Sequence, residues 1–331
     1  MAQQTGTGVP SEGPHPGDQH EIPNFEAHGS FDSLKERIKK HYEIASDYYY
    51  SLWGQHIHHG LFKSADETKE QAQVNLINYL LRISALPTGA KVLDVGCGVG
   101  GTSRFLAKER GCQVTGITIS GRQVQIAKQI TGTETGGSKV TSPTDFFKYP
   151  EEAGKGGTVR FLELDAEKML DHFRPSTGEV QTFDCVWISE ALSHLPNKEL
   201  FFSSSFALVK SRGLLVIADW FKAPDLSPQQ IEGDIKPIED GMLLPRLYTS
   251  DEYVAMAEKA GFKARQTPVD ISKDVAKTWD ISWSLVASPS LWAFAISQGR
   301  DGLAFLQAFR AMRRGYANGT FRYAVMCFEK P

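Results

Sequence analysis

Residues 92–101 read VLDVGCGVGG, a branched apolar run holding one acid, Asp94, and then four glycines in six positions. The apolar run is short enough to be a buried strand, and the glycines permit a tight turn into a helix. The sequence then repeats the theme. Residues 102–110 carry a helical pattern closed by Gly111, CQVTGITI (112–119) reads as a strand, and GRQVQIAKQI (121–130) as a helix. VRFLEL (159–164), FDCVWIS (183–189) and LLVIAD (214–219) supply further strands, with the helical NKELFFSSSFALVK between the last two. Strands alternating with helices at this spacing predict parallel pairing and a doubly wound α/β sheet.

Both flanks look helical. Phe31, Leu34, Ile38, Tyr42, Tyr49 and Leu52 recur at helical spacing, and WGQHIHHGLF (53–62) follows as a loop dense in aromatic and imidazole groups. A second helix is expected to start from a capping box of Ser64 and Glu67, to bury Leu76, Ile77, Leu80 and Leu81, and to stop before Pro87. Residues 131–157 are too polar and glycine-rich for core and read as a long surface loop. Beyond residue 220, helices are expected at 227–241 and 250–260, a strand at 263–270, an aromatic-rich cap over 276–315, and a closing strand in FRYAVMCFE.

Composition narrows the class. With 331 residues, 41% apolar and 23% charged, the chain reads as a soluble globular protein, and a net charge of −3 gives no basic face for nucleic acid. No run approaches the roughly 20 apolar residues that span a bilayer. The four cysteines, Cys97, Cys112, Cys185 and Cys327, lack C-x-x-C spacing and fit a reducing compartment. Residues 1–28 are rich in Gly, Pro and polar groups with no Lys or Arg, which predicts a disordered tail rather than a targeting peptide and a cytoplasmic address. A single α/β domain is then expected over 29–331, with a helical lid at 29–86 and mostly helical cap elements over 221–320.

Gly96, Gly98 and Gly101 spell G-x-G-x-x-G, a dinucleotide fingerprint. That fingerprint needs an acid about 20 residues later to grip the ribose, yet Ile117, Thr118, Ile119 and Ser120 stand there. The acid instead precedes the loop, at Asp94. A carboxylate at that place suits a cationic ligand, while loop and helix N–H groups receive an anionic end. S-adenosylmethionine (SAM) has both ends. A glycine turn serving only strand-to-helix geometry is the plain alternative.

VLDVGCGVG resembles the first SAM motif of class I methyltransferases. More narrowly, WGQHIHHGLF, FDCVWISEALSHLPNKELF and GYANGTFRYAVMCFEKP resemble the γ-tocopherol methyltransferase group, neighbours of the sterol C-methyltransferases. The resemblance implies a Rossmann-like seven-stranded sheet in the order 3-2-1-4-5-7-6, with a helical substrate cap and SAM across the carboxyl ends of strands 1, 2 and 4. It implies that Asp94, Gly96, Gly98 and Gly100 hold the methionine part. Thr118, Ile119 and Ser120, helped by Gln123, would meet the ribose, and Asp165 and Ala166 the adenine. Ala191 and Asn197 depart from the family's Ser and Asp.

Methyl transfer from a sulfonium requires chiefly alignment and exclusion of water. Glu190 and His194 are the candidate catalytic pair: at i and i+4 on a helix they would face one way, His194 taking a proton and Glu190 orienting it. Tyr50, Trp53, His56, His58 and His59, with Tyr48 and Tyr49, are expected to fold over the pocket as a substrate lid. No metal is expected, because the three histidines have no obvious fourth ligand and the transfer needs no Lewis acid. Trp279, Trp283 and Trp292 read as cap core or pocket lining, core being the ordinary place for each, and an aromatic cap suits a hydrophobic small-molecule acceptor, phenolic, terpenoid or alkaloid-like. The sequence thus reads as a methyltransferase enzyme, against the alternative of a catalytically silent SAM-binding regulator or scaffold. Acceptor atom and oligomeric state stay open.

Overall fold

The computed structural model describes residues 31–137, 142, 145–151, 155–174, 180–286, 292, 296 and 299–331. The tail expected at 1–28 lies outside them, as do the side chains of Phe31, Tyr48, Tyr49 and Leu52.

Two helices lead, α1 (Phe31–Trp53) and α2 (Lys69–Ser84). The alternating part follows as β1 (Lys91–Val95), α3 (Gly101–Arg110), β2 (Gln113–Thr118), α4 (Gly121–Glu134), β3 (Phe147–Lys148), β4 (Thr158–Glu163), α5 (Met169–Phe173), β5 (Phe183–Ser189), α6 (Lys198–Leu208) and β6 (Val209–Lys222). The cap comprises α7 (Pro228–Gln230), running through a π turn into α8 (Lys236–Gly241), then α9 (Ser250–Lys259), β7 (Lys263–Ala264), β8 (Val269–Asp270), α10 (Ser272–Val275), α11 (Lys277–Val286) and α12 (Arg300–Asn318); β9 (Phe321–Glu329) closes the chain.

Among the described residues the sheet is nine-stranded, in the order β3-β4-β2-β1-β5-β6-β9-β7, with β8 also on β9. Strands β4, β2, β1, β5 and β6 are parallel; β9 runs antiparallel against β6. Leaving aside β3 and β8, this is the 3-2-1-4-5-7-6 order that the resemblance implies. Both faces are covered, so alternate residues serve two cores: Leu93, Val95, Ile117, Ile188 and Ile217 on one side, Val92, Val114, Trp187 and Val216 on the other. Chain order reverses direction at β1, with β2 on one flank and β5 on the other, and the crevice at such a switch point is where doubly wound sheets bind ligands.

Three expectations need correction. The second helix is capped by Thr68, whose side chain accepts from Gln71 N while Gln71 reaches back to Thr68 N; Ser64 and Glu67 stand before it, and Glu67 accepts from Lys63 N at 2.7 Å. The loop over 131–157 is not all surface: Phe147 and Tyr149 are buried, and β3 pairs antiparallel with β4, because two aromatic side chains find the sheet edge within a polar stretch. The strand expected at 263–270 is broken into β7 and β8, both on β9.

Candidate active site

A cleft of about 830 Å³ opens at the carboxyl ends of β1, β2, β4 and β5, walled by Val95, Gly96, Gly98, Ile117–Ile119, Gln123, Leu164–Ala166 and Ser189–Ala191. The glycine loop forms one wall. Gly96 and Cys97 both donate to Ile117 O at 2.9 Å, tying the loop to the end of β2. Gly98 has φ 55°, and a Cβ there would meet nothing within 4 Å, so bare backbone faces the cleft. Asp165 sits at one end among the apolar Leu164 and Ala166, and Glu190 at the other. Bare backbone, apolar middle and a carboxylate at each end fit a molecule with a ring system, an anionic group and a cationic centre. SAM is such a molecule, and when bound it supplies an electrophilic methyl group.

Helix α1 closes over this cleft. Lys35, Lys39, Glu43 and Asp47 recur every four residues and form one stripe. Lys35 Nζ reaches Glu167 Oε2 at 2.9 Å and Asp165 Oδ2 at 3.6 Å; Lys39 reaches Glu163 at 2.8 Å. Glu43 accepts from Ser120 Oγ at 2.9 Å, and Asp47 pairs with Arg122 at 2.6 Å. The apolar stripe of the same helix, Leu34 and Ile38, packs on Leu243 of the cap.

Beyond Glu190 a second cavity, about 640 Å³, is lined by Trp53, His58, His59, Trp220, Met242, Thr278, Trp279, Ser282, Phe305 and Phe309. Tyr42, Ile57, Glu190 and His194 line both cavities, so the two meet there. The lid loop reaches this cavity because Gln73 of α2 donates to the carbonyls of His56 and His58, and Gly60 N donates to Thr278 Oγ1 at 3.1 Å. Gly101 makes room for it: a Cβ there would lie 2.0 Å from Gln55 O.

Glu190 follows β5 in the left-handed region, φ 54°, and only one 3-10 turn, Leu192–His194, comes after it. The expected helix face shared by Glu190 and His194 therefore does not form. Instead the Glu190 carboxylate is held from three sides. Oε1 accepts from His59 N at 2.6 Å and from the Tyr323 hydroxyl at 2.8 Å, and Oε2 bonds His59 Nδ1 at 2.9 Å. Burial pushes this carboxyl up, but His59, its hydrogen bonds and His58 outweigh that and hold it below the usual range. The turn carrying His194 is fixed by Asp219 on β6, whose Oδ2 accepts from Ser193 N at 3.0 Å, and by Lys198, which donates to Leu195 O at 3.0 Å. Burial, then His41 and Lys198, push His194 down to about 4. His194 is thus a neutral imidazole near neutral pH.

The remaining sequence candidates divide. Gly96, Gly98, Thr118, Ile119, Gln123, Asp165 and Ala166 line the cleft, whereas Asp94, Gly100 and Ser120 stand behind its wall. Asp94 is buried under the loop, accepting from Ser103 Oγ at 2.5 Å, and burial pushes its carboxyl up to about 6. Ser120 caps α4. Thr118 and Gln123 hydrogen-bond each other at 2.6 Å. Of the lid residues, Trp53, His58 and His59 line the second cavity, but Tyr50 and His56 line neither. Trp279 lines the second cavity, Trp283 an outer groove, and Trp292 is 40% exposed rather than core. Among the described residues no group of three His, Cys, Asp or Glu side chains is placed to hold a metal. Trp220, Asp219 and Tyr323 were not singled out in the sequence. Asp219 and Tyr323 sit within strand patterns, and Trp220 just past one that extends further than expected, to Lys222; a polar or aromatic side chain there carries no mark of what it will face.

Residues 67–267 match the methyltransferase domain family. A probable tocopherol O-methyltransferase, chloroplastic, of Oryza sativa subsp. japonica is 28% identical over 315 residues, covering 90% of this chain and 79% of its own. The 2-methyl-6-phytyl-1,4-hydroquinone methyltransferase of Synechocystis sp. is 31% identical over 253 residues, covering 72% of this chain and 70% of its own. A geranyl diphosphate C-methyltransferase from Streptomyces coelicolor A3(2), solved with Mg2+, geranyl diphosphate and S-adenosyl-L-homocysteine, shares the fold with a TM-score of 0.63 at 14% identity, over 90% of this chain and 98% of that one. Sheet order, glycine-walled cleft and relatives agree, and the chain belongs to the class I SAM-dependent methyltransferases, in the group of the tocopherol and sterol enzymes.

Proposed function

We propose that this methyltransferase acts on an aromatic hydroxyl carried by an apolar molecule. The observation that carries the reading is the second cavity. Its walls are Trp220, Trp279, Phe305, Phe309 and Met242, and it meets the donor cleft at Tyr42, Ile57, Glu190 and His194. Such walls take a flat ring and an apolar body. Polar selectivity comes from His58 Nε2, His59 Nε2 and His194 Nδ1, buried nitrogens with no hydrogen-bond partner among the described residues. A hydroxyl in the cavity satisfies one of them; a hydrocarbon leaves them all unmet. Against an ammonium acceptor, the carboxylate at the junction, Glu190, already takes three hydrogen bonds. Two relatives are named for a tocopherol and for a phytyl hydroquinone, which are phenols with apolar tails.

In this reading Gly96 and Gly98 hold the methionine end of SAM, Thr118, Ile119 and Gln123 the ribose, and Asp165 with Ala166 the adenine. His194 is a neutral group that aligns the acceptor. Acceptor is a small molecule and not nucleic acid, and the enzyme works in the cytosol. Among the described residues no helix is long and apolar enough to cross a membrane. Because plant relatives are named as chloroplastic, a fluorescent fusion found in an organelle would overturn the address alone.

The test uses the full chain, SAM and four acceptors sharing one apolar tail, with a phenol, a hydroquinone, a secondary amine or a carboxylate at the head. Mass spectrometry is expected to show one added methyl on the phenol or hydroquinone. Methylation confined to the amine, or none on any head despite bound SAM, would overturn the reading.

A further inference from the structure

Glu190 and His59 form a carboxylate–imidazole pair that the sequence did not couple, and it stands beside the acceptor cavity rather than inside the donor cleft alone. We propose that His59, not His194, is the catalytic base of the transfer, and that Glu190 is the positioning residue that sets its tautomer. The proposal rests on the hydroxyl-acceptor reading above.

The geometry carries it in three steps. First, the Glu190 carboxylate also accepts from His59 N and from the Tyr323 hydroxyl, so it acts as an acceptor throughout and its 2.9 Å bond to His59 Nδ1 places a proton on Nδ1. In that tautomer Nε2 holds the lone pair that a base needs. Second, Nε2 is on the ring edge away from Glu190, and among the described residues it has no hydrogen-bond partner although the residue is buried, 2% exposed. Third, the ring cannot swing. It is packed against Tyr323 at 4.9 Å, Trp279 at 5.0 Å, Trp220 at 5.9 Å and Tyr316 at 6.2 Å between ring centroids. Its own backbone N–H is also fixed, by Glu190 Oε1 at 2.6 Å. The Tyr323 hydroxyl supplies the third bond to Glu190, and burial, then Glu190 itself, keep that phenol protonated and so a donor.

His194 also has a buried nitrogen without a partner among the described residues, Nδ1, and ring contacts with Tyr42 and Trp220, but it lacks the first of these features. Its imidazole has no carboxylate partner in hydrogen-bond contact, and its turn is anchored by Asp219 and Lys198 through the backbone.

The step balances within the proposed transfer. The acceptor hydroxyl passes its proton to His59 Nε2, the oxygen electron pair forms the O–CH3 bond, and the S–CH3 bond breaks with its pair left on sulfur. The imidazolium so formed faces the Glu190 carboxylate, which stabilises it, and the proton leaves to water after product release. Charge forms inside a site already holding its counter-charge, so little reorganisation is needed.

The first test needs no turnover. Nitrogen-15 histidine NMR of the full chain at neutral pH is expected to show His59 with Nδ1 protonated and Nε2 unprotonated; a protonated Nε2 overturns the proposal. The second test compares acceptors. His59→Gln is expected to lower kcat on an ordinary phenol by about 10²–10⁴-fold, with S-adenosyl-L-homocysteine affinity unchanged. On an acidic phenol, ionised before it binds, the same variant is expected to recover most of the rate, because no base is needed. Glu190→Asp should retain more activity than Glu190→Gln, which cannot accept the Nδ1 proton as a charged partner. If phenols are methylated and His59→Gln is equally slow on both acceptors, His59 is structural and the proposal fails while the hydroxyl reading stands. If no phenol is methylated, the reading itself fails first.

Discussion

Lys35 Nζ lies 2.9 Å from Glu167 Oε2 and joins the helix over the donor cleft to the segment that follows β4. It is the first member of the stripe Lys35, Lys39, Glu43 and Asp47, each four residues from the next and each facing a polar partner on the sheet side. Single exposed pairs contribute little, about 0.2–1 kcal/mol, but a row of them on one helix acts together. Lys35→Glu, which places a fourth carboxylate beside Asp32, Asp165 and Glu167, is expected to weaken S-adenosyl-L-homocysteine binding by about tenfold, and Lys35→Glu with Glu167→Lys to recover much of it. Calorimetry at low and high salt checks this, with the wild-type affinity falling as salt rises. No change in either condition would mean that α1 does not guard the cleft.

Gly98 and Gly101 separate two roles of one loop. An alanine at Gly98 keeps φ near 55°, a strain of about 1–2 kcal/mol, and adds a methyl group facing the cleft. An alanine at Gly101 has ordinary φ but places its Cβ 2.0 Å from Gln55 O. Gly98→Ala is expected to raise the KM for SAM. Gly101→Ala is expected to displace the lid loop and raise the KM for the acceptor. Steady-state kinetics with each substrate varied decides whether the two effects divide this way or fall on SAM alone.

Asp219 holds the turn beneath the acceptor cavity, with Oδ2 on Ser193 N and Oδ1 on Trp220 N at 2.7 Å. Removing it leaves two buried N–H donors unmet, at about 1–3 kcal/mol each. Asp219→Ala is expected to lower the denaturant midpoint and kcat together, since both His194 and Trp220 shift, while Asp219→Asn loses less. A variant as stable as wild type would show that the turn holds itself.

Much of this architecture was legible in the sequence. The five parallel strands announced themselves because strands buried on both faces are nearly continuous apolar runs, as in Val92–Val95 and Phe183–Ser189. The glycine wall was legible for the same reason, and the edge order of β9 and β7 came only with the resemblance. Three things were hidden. Glu190 was read as the start of a helical pair with His194, but a positive φ at a non-glycine residue has no signature in sequence. His59 and Glu190 lie 131 residues apart, and nothing local in either announces the bond. Tyr323 reads as an ordinary strand residue and Trp220 lies one position past the strand expected at 214–219, though facing positions on β6 and β9 bring Trp220 to the second cavity's wall and Tyr323 against His59.

Two buried groups pull stability in opposite directions with pH. His194, at about 4 in the fold, titrates near 6.5 when unfolded, so below 6.5 the unfolded chain binds the extra proton. Stability falls as pH drops from about 6.5 to about 4, by up to about 3 kcal/mol from this group. Asp94 is raised from 3.8 to about 6 by burial, with Ser103 pulling it back. Its contribution is full below the unfolded value and is lost as pH rises through about 6. Relative to wild type, the urea midpoint at acid pH is expected to rise against that at neutral pH in His194→Gln and to fall against it in Asp94→Asn. The same pH dependence in both variants and wild type would show that neither group titrates as the burial requires.

The central claim is that the donor cleft and the acceptor cavity meet at Tyr42, Ile57, Glu190 and His194 and that the methyl group crosses there. Ile57 tests it most directly, because it lines both cavities and is not among the polar groups that hold the lid. The measurement is single-turnover transfer of a deuterated methyl group from SAM to the phenol, in wild type, Ile57→Ala and Ile57→Trp, with both ligands' affinities measured alongside. The expected result is that Ile57→Trp binds S-adenosyl-L-homocysteine and acceptor separately but transfers at least about 100-fold more slowly, since a misplacement of even 1 Å costs that much, while Ile57→Ala stays active. Transfer at the wild-type rate with indole filling the junction would contradict the account.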